Sequence, residues 1–207
     1  MRTTTVQRKA SSIKIGDDVL VEQCQQGDIS AMERLILKYQ NRLYNVILRI
    51  CSNPDDAAEL TQETFVKIIE NIGRFEGKSR FYTWAFRIAV NLTINYCRKN
   101  ARLGFKSLDS DDSEVGERTS QALREFLRDE KSPDPAGVAQ NRELCELVSQ
   151  TIMALEEDHR AVLVLRDIEG MSYAQIAQVL EIELGTVRSR ISRARSKFKE
   201  ILEAIIE

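Results

Sequence analysis

Apolar residues recur at steps of three and four through most of this chain, and no convincing alternation at a period of two appears, so the pattern predicts an all-α protein. Leu35, Tyr39, Leu43, Val46 and Ile50 form one long stripe, with Gly27 and Asp28 before it as a break and helix cap. Asn53-Pro54 restarts the chain, because asparagine caps well and proline is tolerated at the first helical position. The helix from Asp55 to Ile72 has acids in its first turns and Lys67 later, as the helix dipole favours. Its spacing sends Thr61, Phe65, Ile68 and Ile72 to the core and leaves Glu59, Leu60, Gln62, Glu63 and Val66 on other faces. A further helix from about Thr83 to Arg98 buries Ala85, Ile88, Ala89, Leu92 and Tyr96, with Trp84, Arg87, Asn91, Asn95 and Arg98 on the opposite stripe.

Near the end, Ser172 and Gln175 have the spacing of a capping box, the chain breaks around Glu181, and Leu184, Val187, Ile191 and Ala194 make a new apolar stripe. Two helices across so short a break read as a helix-turn-helix. The second carries Arg188, Arg190, Arg193, Arg195, Lys197 and Lys199, with no acid between Gly185 and Lys199. Arg188, Ser189, Ser192 and Arg193 point away from the apolar stripe. Arginine can donate two parallel bonds to guanine and serine can donate or accept, so this set suits the edges and phosphates of a DNA major groove. A solvated basic helix is the blander reading, and the helix and turn before it favour DNA.

Charge divides the chain further. From Arg74 to Lys106 eight basic residues face one acid, a net of +7, although the whole chain carries only −2. From Ser107 to Gln140 nine acids face four bases, a net of −5, and Ser132-Pro-Asp-Pro135 makes a turn. The expected organisation is two small helical domains joined by a flexible acidic linker: a disordered lead-in at 1–16, a first module at 17–104, the linker at 105–140 with one short helix near Gln121 to Arg128, and a second module at 141–207.

Six of the 13 aromatic residues lie between Phe75 and Tyr96, interleaved with the basic cluster. Cations track a phosphate backbone while aromatic faces stack on unpaired bases, at ~1–3 kcal/mol per base. Two readings compete: the aromatics are core, as Phe81 and Tyr96 are expected to be, or the face from Trp84 to Asn95 contacts nucleic acid, which the flanking cations favour. The mixture of acids and aliphatics at Glu59, Leu60, Gln62, Glu63 and Val66 suits a protein-binding surface; on composition alone a solvated face is the commoner outcome.

No apolar run approaches the ~20 residues of a membrane span, and the first 16 residues lack the apolar core of a secretory signal. Cys24, Cys51, Cys97 and Cys145 are scattered, which fits reduced thiols in a cytoplasmic protein better than a disulfide framework or a zinc site. With His159 the only histidine and no phosphate loop or nucleophile elbow, nothing argues for an enzyme, a small-molecule substrate, a metal or a cofactor.

Asp55-Asp-Ala-Ala-Glu-Leu-Thr-Gln-Glu-Thr-Phe65, Arg74-Phe-Glu-Gly-Lys-Ser-Arg-Phe-Tyr-Thr-Trp84 and Arg87-Ile-Ala-Val-Asn91 together resemble region 2 of the extracytoplasmic-function (ECF) sigma factors, in wording nearest the sigma-E-like branch. Ser172 to Lys197 resembles their region 4. The resemblance implies a transcription initiation factor that binds core RNA polymerase through its β′ clamp helices and β flap and directs it to promoter DNA. It implies that Glu59, Leu60, Gln62 and Glu63 meet the clamp helices, which reverses the solvated-face reading. It assigns Phe75, Lys78, Arg80, Trp84, Arg87, Asn91 and Asn95 to the −10 element, with Phe75 and the loop to Phe81 helping to form a pocket for a flipped base and Asn91 reading it. Extruding a base costs a few kcal/mol, which a preformed pocket and local positive charge would offset. Arg188, Ser189, Ser192 and Arg193 map to the −35 element, and the acidic linker to the segment that threads toward the polymerase active-site channel. An anti-sigma factor, often membrane-tethered, is also implied for this otherwise cytoplasmic protein. The chain departs from the family pattern at Glu181, where glycine is common in the turn, at Glu183, where proline commonly opens the recognition helix, and at Ser192, which replaces a bulkier side chain. A regulator using the helix-turn-helix without polymerase would leave the Asp55–Phe65 motif unexplained; an RNA-binding regulator would leave Ser172–Lys197 without a purpose.

Overall fold

The computed structural model describes residues 16–104 and 147–206, and every regular element in them is helical. The first module contains α1 (Asp17–Gln25), α2 (Ile29–Cys51), α3 (Pro54–Asn71), a single 3-10 turn (Ile72–Arg74) and α4 (Phe81–Gly104). In the second, α5 (helical at 147–153) precedes α6 (Glu157–Leu163), which continues into a π turn (Val164–Ile168); α7 (Tyr173–Leu180) and α8 (Leu184–Ile206) follow. The expected lead-in, apart from Gly16, and the expected linker with its short helix lie outside the described residues.

The helix starts follow from local chemistry. Asp28 accepts from the backbone N–H groups of Ser30 and Ala31, Asn53 from those of Asp55 and Asp56, and Pro54 fills the first helical position of α3. Ser172 accepts from the N–H of Gln175 at 3.2 Å while the Gln175 side chain accepts from the N–H of Ser172 at 2.9 Å, the reciprocal capping box expected at α7. Helix α7 ends at Glu181, held at φ 54° in the left-handed region, where a side chain is strained and glycine is not.

In α2 the expected stripe is the buried one, with Leu35, Tyr39, Leu43, Val46 and Ile50 all inaccessible to solvent or nearly so. In α3 the stripe is shifted from the expected phase. Ala57, Leu60, Thr64 and Ile68 are buried, whereas Thr61 and Phe65 are only partly so. Leu60 therefore belongs to the core at 4% exposure, a correction to its placement on an outer face; Glu59, Gln62, Glu63 and Val66 are exposed as expected. Thr64 is tolerated inside because its hydroxyl donates to the Leu60 carbonyl at 2.7 Å. In α8, Val187, Ile191 and Ala194 are buried and Leu184, at the helix start, is exposed.

Helix α4 is covered from more than one side. It packs on α2 and α3 within its own module and along α7 of the second. Phe81, Thr83, Trp84, Ala85, Phe86, Ala89, Val90, Thr93 and Ile94 are consequently all buried, while Ile88, Leu92 and Tyr96 are only half-buried. The modules meet again where Arg160 of α6 reaches the end of α2. Its Nη1 donates to the Ile50 carbonyl at 2.6 Å and the Ser52 hydroxyl at 2.7 Å, and its Nη2 to the Met153 and Leu155 carbonyls. Burial pushes this guanidinium below its ordinary pKa, and the four acceptors offset the desolvation.

Replacing Ser172 with alanine removes one arm of the α7 capping box. The full chain should lose about 1 kcal/mol of unfolding free energy, read as a Tm lower by roughly 2–4 °C; an unchanged Tm would show that the box contributes nothing.

Candidate nucleic-acid interface

Two surfaces carry the residues that the sequence singles out. The first surrounds a cavity of about 260 Å³ lined by Arg74, Phe75, Glu76, Lys78, Ser79, Thr83, Trp84, Arg87 and Gln178. Its aromatic side is rigid. Phe75 packs against Trp84 at 5.1 Å and edge-on to Phe81 at 6.1 Å between ring centroids, and Phe81 meets Trp84 at 5.8 Å. The loop to α4 turns at Gly77, whose φ of 71° suits glycine. Gln25 fixes the preceding backbone by donating to the carbonyls of Ile72 and Phe75 at 3.0 and 2.8 Å.

Around that aromatic side sit exposed Arg74, Lys78 and Arg80 and half-buried Arg87. Lys78 is paired with Glu76 and remains largely exposed. Asn91 is half-buried one turn beyond Arg87, and Asn95 is exposed. Trp84 is not on an open stripe beside them. At 9% exposure it is core, wedged between Phe75 and Phe81, and only part of it lines the cavity. The physical reason is that Phe75 and Phe81 cover the indole, so sharing a helix face with half-buried Arg87 does not bring it to solvent.

The second surface is the outer face of α8. Arg188, Ser189, Ser192 and Arg193 are all exposed. Ser189 donates to the Thr186 carbonyl at 3.0 Å. Two neighbouring cations are committed inward instead: Arg190 pairs with Asp158 at 3.4 Å and Arg195 with Asp167 at 2.6 Å, bonds that tie α8 to the rest of its module. A rigid helix with a buried apolar stripe and a free basic face has the geometry of a groove-reading helix.

Residues 35–103 match sigma-70 region 2, and residues 145–198 match sigma-70, region 4. The chain is 38% identical over 191 residues to the RNA polymerase sigma-H factor of Pseudomonas aeruginosa, covering 92% of this chain and 95% of that one. It is 35% identical to the ECF RNA polymerase sigma-E factor of Escherichia coli K12, over 94% of this chain and 98% of the relative. The chain belongs to the ECF sigma factors. Its fold is similar to CnrH in a complex with the cytosolic domain of CnrY, with a TM-score of 0.60 over 91% of this chain and 97% of that one at 24% identity. It is likewise similar to RpoE bound to the anti-sigma factor NepR from Bartonella quintana, with a TM-score of 0.61 over 84% and 98% at 23% identity.

A sigma factor is a non-enzymatic initiation factor whose partners are core RNA polymerase and promoter DNA. Among the described residues no helix is long and apolar enough to cross a membrane. Residues that sequence spacing did not single out join the modules, among them Arg42, Arg160 and Glu169. Arg42 pairs with Glu169 at 2.9 Å and lies over the Tyr82 ring at 4.6 Å. No local pattern could have found these contacts, since their partners lie 127 and 110 residues apart in sequence for Arg42–Glu169 and Arg160–Ile50.

Burial sorts the α3 residues by what their loss should do. Leu60→Ala is expected to lower unfolding free energy by about 2–5 kcal/mol, whereas exposed Glu63→Ala should stay within about 0.5 kcal/mol of the parent. Urea denaturation of the full chain checks both, and equal effects would contradict the assigned burial.

Proposed function

We propose that the aromatic-floored cavity is the site at which this sigma factor captures an unpaired base of the −10 element. The observation that carries this reading is the juxtaposition of Phe75 and Trp84 with the cations Arg74, Lys78 and Arg87 around one space of base-sized dimensions. Arg80 and Asn95 extend the polar track on either side of it, and Asn91 offers a carboxamide to a base edge. Stacking on Phe75 and the positive rim would together offset the few kcal/mol that extrusion requires. Arg188, Ser189, Ser192 and Arg193 form the −35 contact, held at a fixed distance from their module by the buried stripe of α8.

Exposed Glu59, Gln62 and Glu63 then face the β′ clamp helices of polymerase, with Leu60 holding α3 in place from beneath, and the second module meets the β flap. The working division is region 2 over 17–104, an acidic tether over 105–140 and region 4 over 141–207. The binding of RpoE to the anti-sigma factor NepR, and of CnrH to the cytosolic domain of CnrY, supports control of this cytoplasmic sigma factor by an anti-sigma factor, tethered to the membrane where that partner is itself a membrane protein.

Reconstitution with core polymerase and a promoter library should give specific run-off transcripts that depend on this chain. Asn91→Ala should lose selectivity at one −10 base with core binding intact; an equal loss at every promoter variant would sink its base-reading role. Arg193→Ala should weaken −35 binding by ~1–3 kcal/mol if it contacts a guanine bidentately.

A further inference from the structure

Among the described residues, ion pairs of one polarity join the modules. Arg42, Arg87 and Arg98 of the first module meet Glu169, Glu181 and Asp158 of the second, at 2.9, 3.8 and 2.9 Å. The contact at Glu181 falls on the proposed −10 reader itself. One carboxylate oxygen faces Arg87 and the other accepts from the Asn91 amide at 3.5 Å, while Gln178, one turn earlier, supplies a wall of the cavity. Helix α7 packs along α4 at this place.

Backbone strain points the same way. Among the described residues only two that are not glycine have positive φ, Ser52 at 65° and Glu181 at 54°. Each sends its side chain across the boundary, Ser52 to Arg160 and Glu181 to Arg87 and Asn91. Glycine would relieve the turn at 181 but would leave the reader without a carboxylate.

We propose that the free sigma factor is self-occluded: the helix-turn-helix turn docks on the −10-reading face, and the Glu181 carboxylate takes the place of DNA at Arg87 and Asn91. This rests on the reading of those two residues given above. The pairs are solvent-accessible on their cationic side and individually weak, so polymerase or DNA can displace them. The docked form nevertheless lowers apparent affinity for single-stranded DNA by the fraction of molecules that are open.

Trp84 is the only tryptophan and lines the covered cavity, so its fluorescence reports the docking directly. In the full chain, Glu181→Gly and Glu169→Gln should each make Trp84 more accessible to the neutral quencher acrylamide, and the double variant more so. Binding of a fluorescent single-stranded DNA of random sequence should tighten up to about fivefold for each single variant and about tenfold for the pair. Glu181→Gly removes strain and so does not endanger the fold, and Glu169→Gln preserves side-chain size. Unchanged quenching in all three variants would overturn the docking. Increased quenching with unchanged DNA affinity would uphold the docking and overturn the role of Arg87 and Asn91 as DNA readers.

Discussion

The Arg160 guanidinium ties together the C-terminal ends of two helices from different modules. Helix C-termini leave carbonyls without intrahelical partners and carry partial negative charge, so a cation placed between two such ends satisfies both at once. Here the acceptors are Ile50 on one side and Met153 and Leu155 on the other. A buried arginine is expensive unless its donors are occupied, and four of its five are. That requirement fixes where α6 lies on α2, and the other contacts between the modules follow from that placement.

The second constraint is the double service asked of α4. Its buried residues hold the first module together, and its polar residues Arg87, Asn91 and Asn95 are the ones proposed to meet nucleic acid. A helix enclosed on one side only could separate these duties onto two faces. Enclosed by α2, α3 and α7, it instead distributes them along its length, with the aromatic cluster at the start and the carboxamides one to three turns later. The proposed reading surface is thus the margin of a core.

Much of this was legible in the sequence because the relevant signals are local. Caps at Asp28, Asn53 and Ser172 depend on residues two or three positions away, and the α2 stripe depends on one helix with one buried face. The misplacements arise where that simplicity fails. In α3 the candidate stripes through Leu60 and Thr61 differ by one residue, about 100° of rotation, and Thr64 looks polar until its hydroxyl is seen bonded to a backbone carbonyl. In α4 the spacing cannot choose a buried face when several are buried, so it places Trp84 on the open stripe with Arg87, where the fold buries it. The candidate site residues come from motifs, whereas Arg42, Arg160 and Glu169 become visible only when distant segments meet.

Helix α4 is 24 residues long, about 36 Å, and the second module touches it at Arg87 and Asn91 and again at Arg98. Contacts strung along one rod fix position but leave a rotation free, so those alone would let the second module roll about the α4 axis. Arg42 and the Ile50–Ser52 corner belong to α2 and its cap, off that axis, and they arrest the roll. The interface is therefore a hinge along α4 with a catch on α2. Releasing the catch alone would let the second module swing while its turn still rode on the proposed reading face.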